Sequence, residues 1–170
     1  MSDEHKVTRK LRAIFSADVK GYSVLMADDE VSTIQTLKDY RNIMSTCIEQ
    51  RGGRIVDAVG DNLLAEFDSA VDAVQCAVEI QVALREPVEV PLRIGIHAGD
   101  IVIEEDNVIG DAVNLAARIE SFSVPGAVLI SAAVFEQIQN QGHLSARSRA
   151  GPAARRPRNA PERWPRFRAR

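Results

Sequence analysis

GGRIVDAVGDNLLAEF, residues 52–67, is the stretch on which the fold turns. Two β-rich runs, Arg54 to Val59 and Asn62 to Phe67, flank Gly60-Asp61, a pair suited to a tight turn, so the segment reads as a hairpin. Gly52-Gly53 ends whatever precedes it, and Ser69 can cap a helix that follows. Upstream, Arg12 to Val19 (RAIFSADV) is a short apolar run ending in an acid. Asp29 to Gln50 then places Val31, Ile34, Leu37, Tyr40, Met44, Cys47 and Ile48 at helical spacing. Downstream, Val71, Val74, Ala77, Val78 and Leu84 predict a second helix ending before Pro87. Leu92 to Ala98 and Ile101 to Glu104 read as a strand pair turning at Gly99-Asp100. The order β-α-β-β-α-β is that of a ferredoxin-like split βαβ unit. An extra strand, a helix from about Gly110 to Ser121 and a strand at Val128 to Ser131 continue it. The expected class is α+β, with helices packed on an antiparallel sheet.

With 170 residues and 45% apolar composition, the chain has material for one domain with a real core, expected over residues 10–140 after a short polar segment, 1–9. Beyond about Gln141 the apolar periodicity gives way to Ala, Arg and Pro, so residues 141–170 are expected to form a disordered basic tail. The net charge of −3 hides an asymmetry. Residues 145–170 hold nine arginines against one acid, Glu162, which leaves about −11 on the remainder. An acidic body argues against a nucleic-acid partner and suits a site that collects divalent cations. Cys47 and Cys76 fall in apolar-periodic stretches and read as reduced thiols. No apolar run is long enough to span a bilayer and the N-terminus lacks a signal-like core, so the expected location is cytoplasmic.

Three features carry chemistry. In a split βαβ sheet the first strand pairs antiparallel with the strand leaving the hairpin, which makes Asp18 and Asp61 neighbours. Two juxtaposed carboxylates repel unless cations compensate, and such hard oxygen donors suit Mg²⁺ or Mn²⁺. On spacing alone, the favoured reading is the plainer one, Asp61 as an ordinary turn residue and Asp18 as a solvated strand end. The loop Val19-Lys20-Gly21-Tyr22-Ser23 offers a flexible Gly, backbone N–H groups and the Ser23 hydroxyl to phosphates, although its composition is that of many loops. Asn114 and Arg118 lie four residues apart, hence on one helix face. An arginine stabilises charge on a transferring phosphoryl group and an asparagine orients a hydroxyl, while the plainer alternative is a polar surface helix.

Taken together, FSADVKGYSVLM (15–26), GGRIVDAVGDNLLAEF (52–67), LRIGIHAGD (92–100) and IGDAVNLAARIE (109–120) closely resemble the bacterial class III adenylate/guanylate cyclases over roughly residues 10–140. The resemblance implies a nucleotide cyclase fold and cyclisation of a nucleoside triphosphate with two divalent cations, Mg²⁺ or Mn²⁺. Asp18 and Asp61 match the family's metal-binding aspartates, and Val19 would lend its backbone carbonyl. Gly21, Tyr22 and Ser23 fall in the phosphate-contacting turn. Asn114 matches the ribose-positioning asparagine and Arg118 the transition-state arginine. The family joins metal and Asn/Arg residues across a head-to-tail homodimer.

The sequence departs from the adenylate cyclase pattern where a Lys and an Asp usually read adenine: Asp57 and Asn107 stand there. A carboxylate at Asp57 suits guanine N1–H and its 2-amino group, and the Asn107 amide fits either base. Most similar bacterial enzymes use ATP. The expectations are therefore ATP conversion to cyclic AMP, a GTP alternative making cyclic GMP, and a catalytically silent homology module that dimerises or binds nucleotide. The C-terminal stretch also lacks the lysine with which the family usually contacts phosphate.

Overall fold

A computed structural model describes residues 7–85, 90–148 and 165–167. Its centre is β1 (Thr8–Val19), hydrogen-bonded on both sides. On one side it pairs antiparallel with β3 (Leu63–Phe67), from Ala13 opposite Phe67 to Ala17 opposite Leu63. On the other it pairs antiparallel with β4 (Leu92–Glu104), from Thr8 opposite Ile103 to Val19 opposite Leu92. The hairpin partner β2 (Arg54–Asp57) lies outside β3, with a register shift between Ile55 and Asp57. Residues 54–67 thus form the expected hairpin, with Gly60 at φ 59° in its turn.

The predicted turn at Gly99-Asp100 is absent. Gly99 pairs with Arg12 and Asp100 with Leu11, inside one unbroken strand. A twelve-residue β1 offers partners along that whole length, so nothing forces β4 to reverse there. The reversal comes at Glu105-Asp106, where Glu105 takes φ 55° and β5 (Asn107–Ile109) folds back on β4. A second correction concerns strand direction. β6 (Val128–Ile130) runs parallel to β4, because α4 (Asp111–Ser121) intervenes as a crossover, so the sheet is mixed.

The long helix expected over Asp29–Gln50 forms unbroken, and a short helix not expected from the sequence precedes it. Asp29 closes α1 (Tyr22–Asp28) and caps α2 (Glu30–Gln50), its side chain accepting from Ser32 N at 3.0 Å. Val31 and Ile34, expected in the apolar stripe, are exposed, and burial on α2 begins at Leu37. Ser69 caps α3 (Ala70–Ala83) as its position predicts, accepting from Asp72 N at 3.2 Å. Ser131 caps α5 (Ala132–Ile138) in the same way. Residues 141–170, expected to lack packed structure, contribute Leu144 and Ala146 to the core margin. They also supply β7 (Ala146–Ser148) and β8 (Pro165–Phe167), which pair with each other while β8 pairs with β6. Apart from β8, the stretch beyond 148 lies outside the described residues, as do 1–6 of the N-terminal segment.

Strand alternation sorts the two faces. Ala13, Phe15, Ala17 and Val19 point into the main core with Leu37, Tyr40, Met44 and Ile48 of α2, α3 side chains, and Val134 and Ile138 of α5. The Phe15 and Phe67 rings meet there, centroids 6.3 Å apart. Each fully buried Ile, Leu or Phe stabilises the fold by about 1.5–3 kcal/mol. Cys76 is buried in this core and Cys47 is half-buried beside it, both as free thiols. The other face carries Ile14, packed with Ile101, Ala112 and Ala116 beneath α4. No helix among the described residues is long and apolar enough to cross a membrane.

Gly95 sets the height of α4 above the sheet. A Cβ there would lie 2.2 Å from Glu120 N and 2.7 Å from the Ala116 carbonyl oxygen, so helix backbone rests directly on strand backbone. Gly95→Ala should therefore cost about 2 kcal/mol or more in urea unfolding. Gly142→Ala, where a Cβ meets nothing within 4 Å, should be nearly neutral. Equal stability of the two variants would contradict this packing.

Candidate active site

Because Ala17 pairs with Leu63, the end of β1 lies beside the hairpin turn. Asp61 Oδ2 accepts from Val19 N at 3.1 Å, which fixes its carboxylate one residue from Asp18. The turn is supported from α2, where the Arg41 guanidinium donates to the Gly60 carbonyl. Tyr40, one residue earlier, has its hydroxyl pKa raised by burial and then by the Asp61 charge. The neighbouring aspartates expected from strand order are thus together.

A guanidinium that sequence reasoning did not single out stands against them. Arg93 lies opposite Asp18 in the β1–β4 ladder, on the α4 face. Its Nε donates to Asp18 Oδ1 at 2.8 Å and its Nη2 to Oδ2 at 2.5 Å, a bidentate pair. Its Nη1 donates to the Ser121 carbonyl at 3.2 Å. Glu120, only 4% exposed, places Oε1 3.2 Å from Arg93 Nη2. That oxygen is buried and has no aligned hydrogen bond. The Arg93 guanidinium is held above its usual pKa, chiefly by the hydrogen bond to Asp18. The Glu120 carboxyl is raised from 4.5 to about 8, first by burial and next by the neighbouring Asp18 carboxylate.

Glu120 was legible in principle. It follows Ala112 by eight residues and Ala116 by four, both buried, so helical spacing puts it on the covered face. Arg93 shares a strand face with Gly95 and His97. His97 is half-buried there, its Nδ1 without a partner, and burial lowers its pKa.

The remaining candidates stand apart. Asn114 and Arg118 share the exposed side of α4, and neither side chain has a hydrogen-bond or ion-pair partner among the described residues. Gly21, at φ 77°, opens α1 and accepts from Val24 N and Leu25 N, which leaves Tyr22 and Ser23 at the helix's first turn with Ser23 exposed. Asp57 ends β2 and Asn107 begins β5, both exposed. One chain therefore assembles Asp18 and Asp61 with Arg93 and Glu120, but makes no bond from these to Asn114 or Arg118.

The Glu120 shift has a consequence for stability. Between pH 4.5 and about 8 the folded chain holds a proton that the unfolded chain has released, so rising pH removes stability. His97 acts oppositely only below its ordinary 6.5. The melting temperature of the metal-free chain should fall from pH 6.5 to 8, and Glu120→Gln should flatten that fall. A flat wild-type profile would contradict the assignment.

The profile of the adenylate and guanylate cyclase catalytic domain matches residues 8–152. The putative adenylate cyclase 3 of Rhizobium meliloti (strain 1021) is 38% identical over 146 residues, covering 81% of this chain and 25% of that protein. The chain spans only about a quarter to a third of the length of this and other curated relatives. An adenylate/guanylate cyclase/hydrolase from Silicibacter pomeroyi superposes with a TM-score of 0.84 at 36% identity, covering 97% of this chain and all of that one. The guanylyl cyclase Cya2 superposes with a TM-score of 0.76 at 26% identity, covering 94% and 91%. With the catalytic-domain profile matching residues 8–152 and a relative 38% identical over 146 residues, the chain belongs to the adenylate and guanylate cyclase catalytic domain family.

Proposed function

We propose that this domain works as a head-to-tail homodimer in the cytoplasm, converting ATP to 3′,5′-cyclic AMP and pyrophosphate at two shared sites. The observation that carries the reading is the division of the candidate residues. Asp18 and Asp61 converge, while Asn114 and Arg118 stand exposed on a different element.

The aspartates fit divalent cations. Asp18 already pairs with a positive group, so the site accepts cationic charge, and its donors are hard oxygens. No cluster of three or more His, Cys, Asp or Glu poised for a metal occurs among the described residues. Mg²⁺ does not require one, since it commonly takes one or two carboxylates and completes its shell with water and substrate phosphates. Asp18 and Asp61 would hold two such ions, Mg²⁺ or Mn²⁺, with the Val19 carbonyl assisting. The ions would lower the pKa of the ribose 3′-hydroxyl and neutralise phosphate charge.

The chain's own groups account for the rest. Tyr22 and Ser23, following the left-handed Gly21, offer N–H groups and a hydroxyl to the triphosphate. Asn114 of the second protomer orients the ribose so that its 3′-oxygen faces the α-phosphorus. Arg118 of the same protomer donates to the oxygens on which negative charge grows as the bond to pyrophosphate breaks. Asp57 and Asn107 face the base. A second reading, GTP to cyclic GMP, rests on Asp57, whose carboxylate only accepts and so matches guanine N1–H and its 2-amino group.

Purified chain incubated with ATP and with GTP, each with Mn²⁺ or Mg²⁺, should yield cyclic AMP on chromatography. Cyclic GMP alone would select the second reading. Absence of product from a folded dimer would leave a catalytically silent module. Arg118→Ala should lower turnover by about 100-fold or more, the scale for a lost transition-state donor. Asp57→Lys combined with Asn107→Asp should move the ATP-to-GTP preference towards ATP by about tenfold. An unchanged preference would remove these residues from the base site.

A further inference from the structure

Arg93 is bonded to Asp18 through both carboxylate oxygens, the oxygens that a cation on Asp18 would need. Its guanidinium also has two acceptors on the last turn of α4. The Ser121 carbonyl is already engaged at 3.2 Å. Glu120 Oε1 lies at 3.2 Å, buried and still lacking an aligned donor. A single guanidinium thus sits between one acid that it satisfies and another that it does not.

We propose that Arg93 is an internal stand-in for a cation on Asp18, and that Glu120 is the positioning residue that retains its guanidinium on α4 when a divalent cation takes Asp18. The proposal rests on the assignment of Asp18 and Asp61 as metal ligands. The Arg93 side chain is only 20% exposed, so a guanidinium displaced from Asp18 without a second partner would be a poorly solvated, unpaired charge. Glu120 removes that cost, since a small rotation aligns Nη2 with an oxygen already within reach. The exchange also has a direction in the fold. Asp18 belongs to β1, whereas Glu120 and Ser121 belong to the helix that carries Asn114 and Arg118. Cation occupancy on the strand therefore strengthens the tie between β4 and α4.

The test is titration of the full chain with Mn²⁺ alone, free Mn²⁺ being read by electron paramagnetic resonance. Arg93→Ala removes the competitor and should tighten Mn²⁺ binding by about tenfold, the scale on which one adjacent charge shifts carboxylate chemistry. Arg93→Lys, which keeps the charge but loses the bidentate bond, should tighten it less, and it supplies the reading if the alanine variant does not fold. Glu120→Gln should weaken binding by roughly threefold with Arg93 present and have no effect in the Arg93→Ala background. Unchanged or weaker binding on replacing Arg93 would overturn the proposal. So would a Glu120→Gln effect of equal size in both backgrounds, which would show the acid acting directly through its charge. Asp61→Asn separates the two levels. If wild-type chain binds no Mn²⁺, or binds it independently of Asp61, the metal assignment fails as well. If binding depends on Asp61 but not on Arg93, only the exchange fails.

Discussion

The central position of β1 is the constraint on which everything else depends. With β3 on one side and β4 on the other, its last residues are flanked by the hairpin turn and by the first residues of β4. That arrangement brings an aspartate from the turn and an arginine from β4 to the same strand end as Asp18. No loop has to be ordered separately to make the cluster. The ladder hydrogen bonds that stabilise the sheet also fix the spacing of its charges, which is how a scaffold holds a reactive constellation to within fractions of an ångström.

Alternation along β1 then separates stability from chemistry. The residues facing α2 and α3 are apolar and form the main core. Those facing α4 run Ile14, Ser16, Asp18, from apolar to charged towards the strand end. The α4 helix can reach this polar end because Gly95 lets its backbone settle on β4, and Glu120 is thereby buried against Arg93 and Asp18. Burying Glu120 beside the Asp18 carboxylate favours its neutral form, and this is the main departure from ordinary acid–base behaviour near the site. The same helix turns Asn114 and Arg118 outward, where both are exposed.

Much of this was legible in the sequence, for identifiable reasons. The hairpin followed from Gly60-Asp61 between β-rich runs, the α3 start from Ser69, and the meeting of Asp18 with Asp61 from strand order alone. What escaped were features that depend on partners distant in sequence. Gly99-Asp100 looks like a turn, but a long β1 holds it in strand. The short helix over Tyr22–Asp28 buries no residue, so no apolar periodicity announces it. The short strands at Ala146–Ser148 and Pro165–Phe167 follow no local hydrophobic pattern and depend on the free edge of β6. Arg93 looks like an ordinary surface charge until the β1–β4 ladder sets it opposite Asp18.

In the proposed dimer each active site takes its aspartates from one chain and Asn114 with Arg118 from another. The most direct measurement mixes an Asp61→Ala chain with an Arg118→Ala chain, each inactive alone, and assays cyclase activity after subunit exchange has been verified. Activity that returns in the mixture is the predicted result, since the mixed dimer contains one intact site. Mixed dimers that form and remain inactive would contradict it.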